Sequence, residues 1–367
     1  MICIVEETEA MEKKVMRAQV VEAPGKLVFK LVPVPEISED EVLIKVKMCG
    51  ICGTDLKIYG GLYAADRLPL ISGHEFWGVI DQAGKNVKGF KVGDRVSADL
   101  NLTCGTCYFC RRGEPLLCEN FTQLGIHTDG AFAEYVKAPW KNCYAIPPEV
   151  DDYSAAFIEP MAAVLEASKR MNCTISSSVA VIGCGLGILH AAMAKLRGAA
   201  PVILLGDSAN RLDLARRMGV ADHFINITEV ADPVAEVKRI TGGIGADYVL
   251  EAVGTPGTYE QAFRMVRRGG VVEAFGVVQQ GKTAAFEPFE FVLGEKKLRG
   301  SCAGIGVDWE HVINLLAYRR IDPKPLFSEV IPLEELEAAF HELKTNKELI
   351  KIFVSPEVST RVKVNTK

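Results

Sequence analysis

Two sets of residues in this 367-residue chain have types and spacings that could do chemistry at a metal. The denser is TCGTCYFCRRGEPLLC, in which Cys104, Cys107, Cys110 and Cys118 follow the pattern C-x2-C-x2-C-x7-C. Four thiolates complete a tetrahedral zinc shell, and a closed shell leaves no position for substrate, so a structural zinc is expected here. An iron–sulfur cluster also uses C-x2-C-x2-C, but its fourth cysteine typically comes three residues later and precedes proline. Cys118 stands eight positions after Cys110 and precedes Glu119, which favours zinc. The second set is scattered. CGICGTD supplies Cys52, Thr54 and Asp55, SGHEF supplies His74 and Glu75, and FIEPMAA supplies Glu159. Mixed sulfur, imidazole and carboxylate donors from separate segments suit a catalytic zinc with one position open to water or substrate. Two other readings stand beside it: His74 as a hydrogen-bonded core residue, and Cys49 with Cys52 as a redox C-x-x-C pair. The redox motif belongs in a βαβ setting, whereas CGIC ends a strand in a β-rich region.

A third site is written in VAVIGCGLGILHAA, where Gly183, Gly185 and Gly187 lie at the passage from a strand to a helix. A glycine-rich turn there lets the backbone approach a pyrophosphate, whose charge is met by free N–H groups at the helix start. Such turns also occur simply to make tight bends. The context here is stronger, because Asp207 closes the next strand about twenty residues on, where a carboxylate accepts bonds from ribose hydroxyls. The same carboxylate repels a 2′-phosphate, and Ser208 rather than arginine follows it, so NAD is expected over NADP. Asp207 could also cap the helix that begins near Asn210. Arg211 either covers the adenine or is solvated. Val277, at the end of VVEAFGV, completes the expected cofactor-binding set.

The elements that must position these residues fall into two textures. From Arg17 to about residue 157, β-formers alternate with Gly, Pro and Asp punctuation, as in EVLIKVKMCG and FWGVIDQAG, which reads as an irregular, mostly β domain. After Thr174 a strand-then-helix alternation predicts an α/β domain with a parallel sheet covered on both faces. SSVAVIG, PVILLGD, HFINI and ADYVLEAVG read as its strands, with LGILHAAMAKLRG, ANRLDLARRMG, DPVAEVKRITGG and GTYEQAFRMVRRGG as helices between and after them. VVEAFGV and KKLRGSCAG add strands, DWEHVINLLAYRRI is a helix, and a second helix carries Leu333, Leu336, Phe340 and Leu343 on one face. LIKIFV is expected to be the last strand. The division follows: 1–15 an extension, 16–158 the β-rich catalytic domain completed by about 308–367, and 159–307 the dinucleotide domain.

Composition excludes other classes. A net charge of −5, a pI near 5.8 and the lack of basic blocks argue against nucleic acid as a partner. No apolar run approaches eighteen residues and no charged-then-apolar leader opens the chain, so neither a membrane nor secretion is expected and the protein reads as cytoplasmic. The eleven cysteines are odd in number, and those outside the cluster lack regular spacing, which argues against a disulfide framework. His127, His190, His223, His311 and His341 have no partnering motif and are expected at the surface or as caps. Trp77, Trp140 and Trp309 are expected to fill core more than to line a cleft.

The motifs also coincide in order. GICGTD, GHE, the four-cysteine lobe, DGAFAEY, an EP dipeptide and then the dinucleotide unit resemble the zinc-dependent medium-chain dehydrogenases, over nearly everything from Met16 to Val354. GHE together with the EP carboxylate is similar to the polyol branch (sorbitol, butanediol and cyclitol dehydrogenases) and to the threonine dehydrogenases; the alcohol dehydrogenases proper place a cysteine where Glu159 stands. The resemblance implies a GroES-like β domain joined to a Rossmann domain, with the active site in the cleft and the C-terminal segment returning to the first domain. It implies one catalytic and one structural zinc per chain. Cys52 and His74 would be ligands, Glu75 a direct or alternate one, Glu159 direct or through water, and Thr54 would take the substrate proton. The implied reaction is hydride transfer from a secondary alcohol of a small polyol or cyclitol to NAD, with L-threonine as the alternative substrate, in a homodimer or homotetramer. A catalytically silent nucleotide-binding protein is the reading from another class. Three departures from the family pattern stand out: Lys57 replaces a proton-relay histidine, the glycine turn is one residue shorter, and so is the stretch from Asp207 to Arg211.

Overall fold

A computed structural model describes residues 14–364. Residues 1–13 of the expected extension lie outside the described residues, and Val15 already belongs to a strand. Val15–Ala23 and Lys26–Pro33 form an antiparallel hairpin whose turn uses Gly25 at φ 74°, a left-handed conformation that side chains disfavour.

Two larger sheets carry the molecule. The first is built around Glu41–Gly50, which pairs antiparallel with Glu75–Ala83, with Tyr135–Pro139 and with Lys351–Val354. Its strands come from the early chain and from the last part, so the C-terminal segment does return to the first sheet. LIKIFV is not the last strand, however: Val362–Lys363 adds a short antiparallel strand against Phe327–Ile331. The second sheet is fully parallel, in the spatial order His223–Asn226, Val202–Gly206, Val179–Ile182, Ala246–Glu251, Val266–Ala274, Lys297–Gly300. That order, with the first strand central and the direction reversing beside it, is the doubly wound arrangement whose switch point lies at the end of Val179–Ile182. The central strands are buried along their whole length, as a sheet covered on both faces requires.

Further sequence expectations are corrected here. The helix read over GTYEQAFRMVRRGG stops at Met265, because Val266 already pairs with Ala246 and opens the fifth strand of the parallel sheet. The helix Ile158–Met171 was not anticipated. Its polar residues Glu159, Glu166 and Ser168 are buried along with the apolar ones and only Lys169 and Arg170 near its end are exposed, so no polar stripe marks a solvent face; it lies between the helices Gly187–Leu196 and Val307–Ala317 and touches both sheets. Pro160 sits in its first turn, where the missing N–H breaks no helical bond. The aromatic expectation holds for Trp77 and Trp309, which are core residues. His190 is not at the surface: it is buried against Phe275, ring centroids 4.4 Å apart, and burial pushes it down to about 3.

The parallel sheet also buries an unpaired acid. Glu273 is fully buried and neither of its oxygens has a hydrogen-bond partner among the described residues. Burial pushes its carboxyl up to about 8, with Glu166 adding to the shift and Arg170 and Arg299 opposing it. The folded value exceeds the unfolded value of 4.5, so the folded state keeps a proton that the unfolded chain has lost, and stability falls as pH rises through that window. Glu273→Gln is therefore expected to melt with wild type near pH 4.5 and above it at pH 8, by roughly 4–8 °C in thermal denaturation.

Candidate active site

The strand Glu41–Gly50 delivers the chain to Cys52, which stands immediately before the helix Gly53–Tyr59. Asp55, in the first turn of that helix, accepts a hydrogen bond from the Cys52 N–H at 2.8 Å and another from the Gly73 N–H at 3.1 Å. Its Oδ1 lies 3.5 Å from His74 Nδ1. One carboxylate with no exposed surface thus fixes both the cysteine and the histidine segments. Gly73 has φ 94°, and a Cβ there would come within 2.9 Å of Phe132 and Cys49, so the turn ahead of His74 needs glycine twice over. Glu75 then opens the strand Glu75–Ala83 directly opposite Gly50. A Cβ on Gly50 would fall on the Glu75 carboxylate.

These segments bring one donor atom each from Cys52, His74 and Glu75 within 4.8 Å of one another. Glu159 is outside that group. It is 8% exposed in the first turn of Ile158–Met171, and burial, then the charge of Glu75, push its carboxyl up to about 8. A divalent cation would reverse that logic by adding positive charge beside Glu159. At His74, burial disfavours the imidazolium, but the charges of Asp55 and Cys52 outweigh it and hold the ring above its ordinary range. Thiolate, imidazole and carboxylate converging in a buried site is the donor chemistry of a catalytic zinc. Asp55 is positioned as the outer carboxylate that orients the histidine.

Lys351 was missed in the sequence. The residue is 5% exposed, and its ammonium pairs with Glu75 Oε2 and donates to the Ile51 carbonyl at 3.0 Å. Burial lowers its proton affinity, yet Glu75 and Cys52 raise it by more, so the charge persists. The available signal was a lone lysine inside the apolar strand LIKIFV. The redox reading of CGIC finds no support: Cys49 is fully buried, and burial pushes its thiol well above the ordinary range.

Cys104, Cys107, Cys110 and Cys118 converge as a second group. Two of their sulfur pairs stand 3.5 and 3.9 Å apart, close to the ~3.8 Å that tetrahedral Zn–S bonds of about 2.3 Å require. Backbone N–H groups point at sulfur from Cys104 and Cys107, and the Cys104 thiol is drawn down to about 5, first by the backbone of Thr106. All described cysteines are free.

On the dinucleotide side, Gly183 has φ 114° at the end of the first parallel strand, and Gly187 starts the helix Gly187–Leu196. A Cβ on Gly185 would meet only the Arg211 guanidinium, at 3.9 Å, so the turn is open for a phosphate to approach its backbone. Asp207 is not the helix cap. Ser208 takes that role, accepting from the Arg211 N–H, while Asp207 pairs with Lys347 at 2.6 Å. Arg211 is not solvated either, since its guanidinium donates to the Leu349 carbonyl at 2.6 Å. Val277 is exposed, and its carbonyl accepts from Lys57 Nζ at 3.1 Å, which ties the Cys52-to-Lys57 segment to the dinucleotide side of the molecule.

Known proteins share the domains of this chain. Residues 38–148 match the alcohol dehydrogenase GroES-like domain and residues 185–318 the zinc-binding dehydrogenase domain. The chain is 36% identical to an L-threonine 3-dehydrogenase of Bacillus licheniformis, over 89% of this chain and 95% of that one. It is 35% identical to a sorbitol dehydrogenase of Bacillus subtilis, over 93% and 97%. A Sinorhizobium meliloti protein whose structure was solved bound to NADP superimposes with a TM-score of 0.88 at 33% identity, over 94% of this chain and 100% of that one. With the donor sets, the glycine turn and these likenesses together, the chain belongs to the zinc-dependent medium-chain dehydrogenases, in the branch of the polyol and threonine dehydrogenases, and is an alcohol oxidoreductase that uses zinc and a nicotinamide cofactor.

Proposed function

We propose that the protein oxidises a secondary alcohol of a small polyol or cyclitol with NAD. The observation that carries this is the convergence of Cys52, His74 and Glu75 in one buried site, with Glu159 beside it, on the same helix-and-strand framework that reaches the dinucleotide side through Lys57 and Val277. Cys52, His74 and a carboxylate would hold a zinc, which when bound would supply Lewis acidity toward the alcohol oxygen, and the dinucleotide side would hold the nicotinamide that would supply the hydride acceptor. The chain's own residues do the rest. Thr54, half-buried and two positions after Cys52, is proposed to take the alcohol proton. Asp55 keeps Cys52 and His74 in register, and Lys351 holds Glu75 against self-repulsion with Glu159. The four-cysteine group is proposed as the structural zinc, because its four sulfurs already complete a shell.

Asp207 at the end of the second parallel strand supports NAD over its 2′-phosphorylated form. The polyol reading is supported by the sorbitol dehydrogenase relative. L-Threonine is the second reading, favoured by the Bacillus licheniformis relative. The working division into residues 16–158 with about 308–367, and 159–307, is supported by the two large sheets, whose strands separate along those lines. A homodimer or homotetramer is supported by the exposed edge strand Lys297–Gly300, flanked by exposed Phe289, Val292 and Leu293. Among the described residues no helix is long and apolar enough to cross a membrane.

Steady-state NAD reduction against sorbitol, inositols, butanediol and threonine tests the substrate. A polyol or cyclitol is expected to exceed threonine in kcat/KM by about tenfold or more, a discrimination of ~1.4 kcal/mol. Threonine at the head of the panel would reverse the order of the two readings.

A further inference from the structure

Three contacts from one short stretch of the C-terminal segment cover the end of the second parallel strand. Lys347 Nζ pairs with Asp207 Oδ2 at 2.6 Å, Glu348 pairs with the Asn210 amide, and the Leu349 carbonyl accepts from the Arg211 guanidinium at 2.6 Å. Asp207, Asn210 and Arg211 occupy the place where this fold receives the adenosine ribose. The carboxylate expected to discriminate against a 2′-phosphate therefore has an ammonium on it, contributed from far along the chain. The side chains of Lys347 and Asp207 are 67% and 45% exposed, so their ion pair is weak and a ribose hydroxyl can displace it. Once displaced, the ammonium stays within its own flexible stem's reach of the ribose 2′ position.

We propose that Lys347 is a cofactor-specificity residue, which offsets the repulsion of Asp207 and, with Arg211, lets the site accept a dinucleotide bearing a 2′-phosphate as well as NAD. This rests on the reading of Asp207 as the ribose carboxylate. Asp207 and Glu348, the latter held on the neutral Asn210 amide, bring two negative charges, and Lys347 and Arg211 bring two positive ones, so this end of the strand is balanced rather than net negative. Discrimination between NAD and NADP is accordingly shallower than a lone aspartate would impose.

Dissociation constants of NAD and NADP, measured calorimetrically on the full chain without alcohol, test this independently of turnover. Lys347→Ala is expected to weaken NADP about tenfold and NAD less than about threefold, widening the ratio, as loss of one charge contact to a phosphate requires. Lys347→Arg is expected to keep the wild-type ratio. A ratio that is unchanged or narrower in Lys347→Ala overturns the proposal, as does equal weakening of both cofactors, which would make the lysine only a strut for the C-terminal segment. The wild-type ratio is a separate readout: tighter binding of NADP than of NAD would overturn the NAD assignment and leave the effect of Lys347 to be judged by its own variants.

Discussion

His74→Ala is expected to lose alcohol-dependent NAD reduction by about a thousandfold or more in kcat/KM, because the Lewis acidity it helps to hold contributes several kcal/mol to the transition state. NAD affinity should remain within about threefold, since the glycine turn and Asp207 lie on the other sheet and a distant substitution adds independently. The imidazole is buried, lies 3.5 Å from Asp55 and shares its site with Cys52 and Glu75, so His74→Ala removes the one nitrogen donor of the group. Metal analysis supplies the second readout. Two zinc ions per wild-type chain, one in His74→Ala and one in Cys107→Ala are expected, with only the His74 variant losing the chemical step. If His74→Ala kept wild-type turnover in metal-stripped buffer, the catalytic assignment would be wrong. A folded, stable but inactive Cys107→Ala would move the chemistry to the cysteine lobe.

The second large effect concerns Lys351. In the zinc-free protein, Lys351→Met is expected to destabilise the fold by about 3–5 kcal/mol, because it leaves the Glu75 carboxylate buried beside Glu159 with neither lysine nor metal as counter-charge. Methionine fills the lysine's volume, so the loss reports the charge and not a cavity. Adding Glu75→Gln to the same chain should recover most of the stability, and the double-mutant cycle measured by urea unfolding isolates the pair. A variant that unfolds at the wild-type urea midpoint would show that the ion pair does not hold Glu75 in place.

The parts of this protein that were legible in its sequence are those specified by near neighbours. The four cysteines lie within fifteen residues, so their spacing alone states a closed shell, and the lobe forms it. The strand-helix alternation after Thr174 carried its own periodicity and glycine punctuation, and the parallel sheet follows it strand by strand. Gly183 stands where a left-handed backbone is needed, and only local chain geometry is required to see why. By contrast, the helix Ile158–Met171 hid because Glu159, Glu166 and Ser168 are buried among its apolar residues and mark no solvent face, and His190 is buried although nothing local distinguishes a buried histidine from an exposed one.

What the tertiary structure alone decided depends on pairings across hundreds of residues. Lys351 meets Glu75 only because the last part of the chain returns to pair with Glu41–Gly50, and Lys347 meets Asp207 through the stretch leading into that strand. The sequence by itself determined which side chains could bind metal and dinucleotide, since donor chemistry and turn geometry are local properties. It could not determine which charges would face them, because Coulomb interactions act through space at distances that only the folded chain defines.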